Sequence, residues 1–159
     1  MSKFGTVPPE PKADHSLDSL APAFREAVDA LCNDMERIGL PCRVDETYRS
    51  PDRSDWLYGM GRDFDDGRGV VTHAKGGHSW HNFGVAADIV HAHLNWDAPE
   101  SFWLDLCRRA EMNGLASGYR WKRQDNPHVQ PTVIPVSPTD ADRLLLDQGM
   151  DIFWEHYGL

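Results

Sequence analysis

The chain has 159 residues, 40% of them hydrophobic and 26% charged, and a formal net charge of −9. That length suits one domain with its own core, and the acidity argues against sequence-independent nucleic-acid binding, which needs a basic face. No apolar run approaches the about 20 residues of a membrane span, and no Lys/Arg-rich segment favours an anionic surface.

In chain order, residues 1–18 are Pro-rich and polar and read as an extended arm, with 19–159 as a single domain. The first thirty residues hold no apolar signal core, so the protein is expected to be cytoplasmic when made and to act elsewhere only after release. A helix begins near Ala21, with Pro22 tolerated in its first turn. Phe24, Val28, Leu31, Met35 and Ile38 then recur at helical spacing, and Gly39 ends it. Residues 42–48, "CRVDETY", read as a strand, and "SPDRSDWLYGMGR" as a cap and short helix with Trp56, Leu57 and Met60 on its apolar side. The Gly- and Asp-rich stretch 63–77 reads as loop; its "DFDDG" lacks the spaced ligands of a calcium loop.

A strand follows around Val85 to His91, then a helix over 99–114 with Pro99 at its start and Gly114 just past its end. Phe102, Leu106 and Ala110 form its core stripe. Short strands are expected over 115–121 and 128–134, and a tail helix capped by Thr139 and loosened near Gly149. Cys32, Cys42 and Cys107 fit neither a disulfide framework nor a metal knuckle, so they read as free, mostly buried thiols. Helices with short, non-alternating strands predict an α+β fold, a small antiparallel sheet flanked by helices.

The chemistry concentrates in "HSWHNFGVAADIV", residues 78–90. An acid inside an apolar strand faces a large desolvation cost unless paired or bound to a cation. Asp88 is therefore either a solvated or salt-bridged strand-end acid or a ligand. Gly84 permits a sharp turn that could return the His81 imidazole to the Asp88 carboxylate. Imidazole and carboxylate are both zinc ligands. The best third candidate is His128, after Pro127 in "QDNPHVQ", with Asp125 three residues upstream as a nearby base. Three protein ligands and an open fourth position mark a catalytic rather than a structural zinc site.

Ser79, His81, Gly84, Ala86 and Asp88 match S-x-H-x-x-G-x-A-x-D, and Asp125, Pro127 and His128 match D-x-P-H. Together with "YRSPDRSDWLYGMGR" and "VTHAKGG" upstream, residues 44–131 resemble the M15 zinc peptidases of bacterial cell walls. The resemblance implies a hedgehog/DD-peptidase-like fold and one catalytic Zn2+ on His81, Asp88 and His128. It makes Asp125 the general base and later acid, and Arg49 the group that polarises the scissile carbonyl. Ser79 and Trp121 would meet substrate or its surroundings; His73 is either a cleft residue or a plain loop residue. The implied partner is the peptidoglycan stem peptide, with no nucleic acid and no membrane, and the chain is expected to be a monomer.

Three departures qualify this. Ser54 stands where relatives often have Gln, only Trp121 survives of a Trp-Gly-Gly-x-Trp stretch, and the catalytic acid is Asp125, not Glu. The aspartate favours the L-alanyl-D-glutamate endopeptidase branch used by phage endolysins over D-Ala-D-Ala carboxypeptidases and dipeptidases. A third reading, an inactive zinc-stabilised wall-binding module, should have lost Asp125 or Arg49, and both are present. His78 reads as a loop residue. His91 and His93 would share a strand face opposite Asp88, apart from the site.

Overall fold

The computed structural model describes residues 3–159. Its helices are α1 (Pro22–Arg37), α2 (Pro51–Gly59), α3 (Glu100–Met112), α4 (Asp140–Gln148) and α5 (Met150–Tyr157). Its strands are β1 (Cys42–Glu46), β2 (Ala87–His91), β3 (Leu115–Ser117) and β4 (His128–Pro131). They form one antiparallel sheet in the order β1-β2-β4-β3, the expected α+β architecture.

Helix α1 buries Phe24, Val28, Leu31 and Met35, and α3 buries Phe102, Leu106 and Ala110, so the two apolar stripes pack into one core with Ile89 and Val90 of β2. Each fully buried large side chain contributes about 1.5–3 kcal/mol. Ile38 was expected on the α1 stripe, but the helix ends one residue earlier and Ile38 is exposed. The last two strands are shorter than their patterns suggest. After Ser117 the chain tightens into a 3-10 turn over Gly118–Arg120, and β4 stops at Pro131, which has no N–H to extend the ladder. The cysteines are free, Cys107 buried and the other two half-buried.

A second cluster, Trp56, Leu57, Met60 and Phe64, lies beneath α2, with Val7 packed against it. Residues 8–15 are tied to this side of the domain: Trp56 Nε1 donates to Pro8 O (3.0 Å), Arg53 Nη1 to Pro11 O (2.8 Å), and Thr47 N to Asp14 O (2.8 Å). The tail helices brace the turn over Trp80–Phe83. Phe153 packs on Trp80 and Phe83, and Trp154 Nε1 donates to Phe83 O (2.7 Å), which fixes the turn that carries His81.

Candidate active site

Strand register builds the centre. Asp88 on β2 pairs with His128 on β4 and, on its other side, with Glu46 on β1. An irregularity between Val44 and Glu46 adds one residue to β1, so Glu46 rather than Asp45 faces Asp88. His81 comes from the 3-10 turn Trp80–Phe83, which ends at Gly84 in the left-handed region (φ 67°). A Cβ there would lie 2.9 Å from both Ser19 O and the Trp154 ring, so glycine is required by space as well as by conformation. The turn brings His81 Nε2 to 3.4 Å from Asp88 Oδ1, and His128 Nδ1 lies 3.8 Å from the same oxygen. One donor atom from each of the three buried residues falls within 4.8 Å of the others. Two imidazole nitrogens and a carboxylate oxygen are a fitting donor set for zinc, and the spacing needs only a small contraction around one ion.

The outer partners fix which nitrogen faces inward. His81 Nδ1 donates to Thr47 O (2.8 Å), which leaves Nε2 free as an acceptor. His128 Nε2 donates to Gln130 Oε1 (2.9 Å), which leaves Nδ1 free. Gln130 is itself oriented, because its Nε2 donates to Pro135 O (3.0 Å). Each imidazole thereby turns its other ring nitrogen toward Asp88.

Electrostatics follow from burial and neighbours. Burial alone would raise the Asp88 carboxyl, but the neighbouring His81, which also hydrogen-bonds it, and then His128 and Arg49 outweigh burial and hold the group well below the usual range. Burial, then His81, pushes His128 down to about 4, so it stays neutral at ordinary pH. Asp125 is half exposed at the cleft mouth, 3.9 Å from His128 Nδ1. Desolvation and the nearby Asp88 charge push its carboxyl up to about 6, the range of a general base. Gly118 sets its position: Asp125 N donates to Gly118 O (2.9 Å), and a Cβ on Gly118 would meet Asp125 O at 2.3 Å.

Arg49 follows β1 and is buried. Its Nε and Nη2 donate to the two oxygens of Glu46 (3.2 and 2.7 Å), and Nη2 lies 3.6 Å from Asp88 Oδ2. Burial works against the charged guanidinium, but Glu46 and Asp88 more than offset it. Among the described residues Nη1 has no hydrogen-bond partner, so one N–H pair remains to meet a substrate carbonyl. Sequence reasoning missed Glu46 and Gln130. Each lies on the same strand as, or three residues from, a predicted site residue, a spacing that could have flagged it.

These residues line a cleft of about 590 Å³. Trp121 lies there with its ring 4.8 Å from that of His128. Ser79 lines the cleft too, but its hydroxyl already accepts from His81 N (3.3 Å) as the cap of the turn. Thr72, Ala74 and His78 reach the wall, whereas His73 is exposed beside Arg62 and is not brought into the cleft. The His91–His93 pair does not form on a strand. His93 lies in a turn, and His91 Nδ1 accepts from His93 N and Leu94 N (both 3.1 Å).

No protein-family model matches the chain. Over 123 residues it is 32% identical to the peptidoglycan L-alanyl-D-glutamate endopeptidase CwlK of Bacillus subtilis (strain 168), covering 70% of this chain and 72% of that protein. The fold resembles the L-Ala D-Glu endopeptidase ChiX of Serratia marcescens (TM-score 0.53, 18% identity, 73% of this chain and 83% of that one). It also resembles the LD-carboxypeptidase LdcB (TM-score 0.56, 15% identity, 94% and 76%). A third likeness is to the L,D-carboxypeptidase DacB of Streptococcus pneumonia (TM-score 0.55, 18% identity, 91% and 81%). At these identities the solved structures speak for the fold.

Proposed function

The chain belongs to the M15 family of zinc peptidases, and on that premise we propose that it is a zinc-dependent L-alanyl-D-glutamate endopeptidase of peptidoglycan, acting as a monomeric, endolysin-type enzyme on the wall after release from the cytoplasm. The observation that carries the reading is the convergence of His81 Nε2, Asp88 Oδ1 and His128 Nδ1 within 4.8 Å, in the cleft that also holds Asp125 and Arg49. The choice of bond rests on the Bacillus relative and on aspartate at position 125.

His81, Asp88 and His128 would hold the zinc ion, which when bound would supply Lewis acidity toward the scissile carbonyl and the attacking water. Arg49 Nη1 donates to the carbonyl oxygen as negative charge develops on it, and Glu46 keeps the guanidinium in place for that contact. Asp125 takes one proton from the attacking water as the C–O bond forms. It then delivers that proton to the departing amine of D-glutamate as the C–N bond breaks, and is regenerated as carboxylate. Trp121 packs against His128 and shields the ligand from bulk water.

Purified peptidoglycan digested with the protein should yield peptides beginning with D-glutamate, read by mass, and a chelator should stop their release. Liberation of terminal D-alanine alone would instead identify a carboxypeptidase, and no cleavage in the presence of zinc would leave only a binding module.

A further inference from the structure

We propose that the Trp96 side of the cleft is a subsite for the N-acetylated amino sugar that carries the stem peptide; the inference rests on the substrate reading given above. The chain has 6 tryptophans. Four of them, Trp56, Trp80, Trp103 and Trp154, donate their indole N–H to backbone carbonyls. Among the described residues the other two, Trp96 and Trp121, make no such bond; both line the cleft, as does Trp80. Trp121 rests on His128, but Trp96 is 55% exposed.

The turn that presents Trp96 is tied down. Asn95, at φ 52°, is the one non-glycine with positive φ among the described residues. Its Oδ1 accepts from Arg43 Nε and Nη2 (3.1 and 2.7 Å), and its N donates to His91 O (3.0 Å). His91 Nδ1 holds the backbone of His93 and Leu94 from inside the turn. The indole is thus displayed on a rigid support, so a ligand stacking on it need not bear the cost of ordering the turn.

The surroundings select the ligand class. Trp96 and Asp125 also line an adjoining pocket of about 400 Å³, completed by Trp103, Gln124, Asn126 and Pro127. That lining contains no cation. Asn126 Oδ1 is buried there and accepts no hydrogen bond from the described residues. A flat indole face beside amides suits a neutral ring with an apolar C–H face and polar edges, that is, an acetamido sugar. The wall formed by α2 and the loop after it differs. It carries Arg53 and Arg68, whose charges are met by Glu10 (2.8 and 2.9 Å), Glu46 (2.6 Å) and Asp66 (2.7 Å), so it is a wall of ion pairs with no flat apolar face.

The sugar joins the amino end of L-alanine through its lactyl ether, and the carboxylates begin at D-glutamate. One residue and the lactyl unit separate the sugar from the scissile carbonyl, on the order of 7–10 Å when extended, so the sugar must lie beside the centre.

The test compares two substrates, a disaccharide-linked L-Ala–D-Glu tetrapeptide and the same tetrapeptide N-acetylated in place of the sugar. Wild-type protein should favour the sugar-bearing substrate at least tenfold in kcat/KM, mainly through KM. Trp96→Ala should lower that preference at least fivefold, and Trp96→Phe should restore part of it. If wild type cuts both substrates and Trp96→Ala leaves the preference unchanged, the sugar subsite is wrong and the peptidase reading stands. If wild type with zinc cuts the L-Ala–D-Glu bond in neither, both fall. Zinc content and the thermal transition of each variant report whether it has folded.

Discussion

Asp88 and His128 are direct partners across the antiparallel β2–β4 pair. Two of the three candidate ligands are therefore placed by backbone register. A slip of one residue would turn either side chain to the other face of the sheet. The third, His81, is placed by a turn whose reversal depends on Gly84. Asp88→Asn keeps the shape and removes the charge. Zinc at a hundredfold excess over its Kd should raise the wild-type Tm by about 5–10 °C, and Asp88→Asn should lose most of that rise. Thermal scans with zinc and with chelator measure both, and an equal rise in the variant would remove Asp88 from the ligand set.

Arg49→Lys tests the guanidinium. Lysine keeps the charge but cannot hold both Glu46 oxygens while presenting a second N–H pair to substrate. The expected loss is about 10²–10³ in kcat with KM changed only a few-fold, as for an interaction made in the transition state. A variant impaired only in KM would make Arg49 a binding residue.

Much of this was legible in the sequence, for identifiable reasons. The α1 and α3 stripes follow the helical period and are buried as read, because long periodic patterns leave little choice of face. Residue types and Gly84 point to His81 and Asp88 with His128 as third candidate, the motif resemblance implies the full set, and the structure brings the three together. What stayed hidden depends on register. The β1 irregularity that turns Glu46 toward Asp88 has no local sequence mark, and neither does the alignment of Gln130 behind His128. Loop residues were the hardest to place: His73 was weighed for the cleft, yet its neighbours Thr72 and Ala74 supply that wall.

Gly118→Ala separates positioning from metal binding. The added Cβ would meet Asp125 O at 2.3 Å, and that neighbour is backbone, which cannot swing aside. The 118–125 segment must move, and a displacement of about 1 Å at the base costs on the order of 10² in kcat. Zinc content should be unchanged because none of the three ligands belongs to this segment. Wild-type turnover in the variant would show that Gly118 does not set the base.

Asp125, as the proposed base, should give the rate its acid limb. Burial and the Asp88 charge raise its carboxyl to about 6 in the metal-free protein, and a nearby dication lowers it from there. The working form is the carboxylate, so kcat/KM should rise with pH, with a midpoint at or below about 6, and then level off. His128, pushed down to about 4, stays neutral across that range and adds no limb of its own. Asp125→Asn should cost about 10²–10⁴ in rate and abolish the limb. A midpoint above 7 would point to another group as the base.

The tail supplies a stability test remote from the cleft. Asp142 caps α4 by accepting from Thr139 N and Oγ1 (2.8 and 2.7 Å), and its other oxygen accepts from Tyr157 OH at the end of α5 (2.6 Å). Burial would raise the Asp142 carboxyl, but the bonds from Tyr157 and Thr139 outweigh it and lower it. Its stabilisation is therefore complete above the unfolded value, about 3.9, and is lost as pH falls through the lower folded value. Tyr157 mirrors this. Burial and the Asp142 bond push its phenol up to about 12, so its share is complete below the unfolded value of about 10 and fades as pH rises toward 12. Asp142→Asn should cost about 1–2 kcal/mol at pH 7, a Tm drop of about 2–8 °C. The deficit should shrink as pH falls below about 4. A deficit that persists unchanged in acid would mean that the carboxylate charge is not what joins α4 to α5.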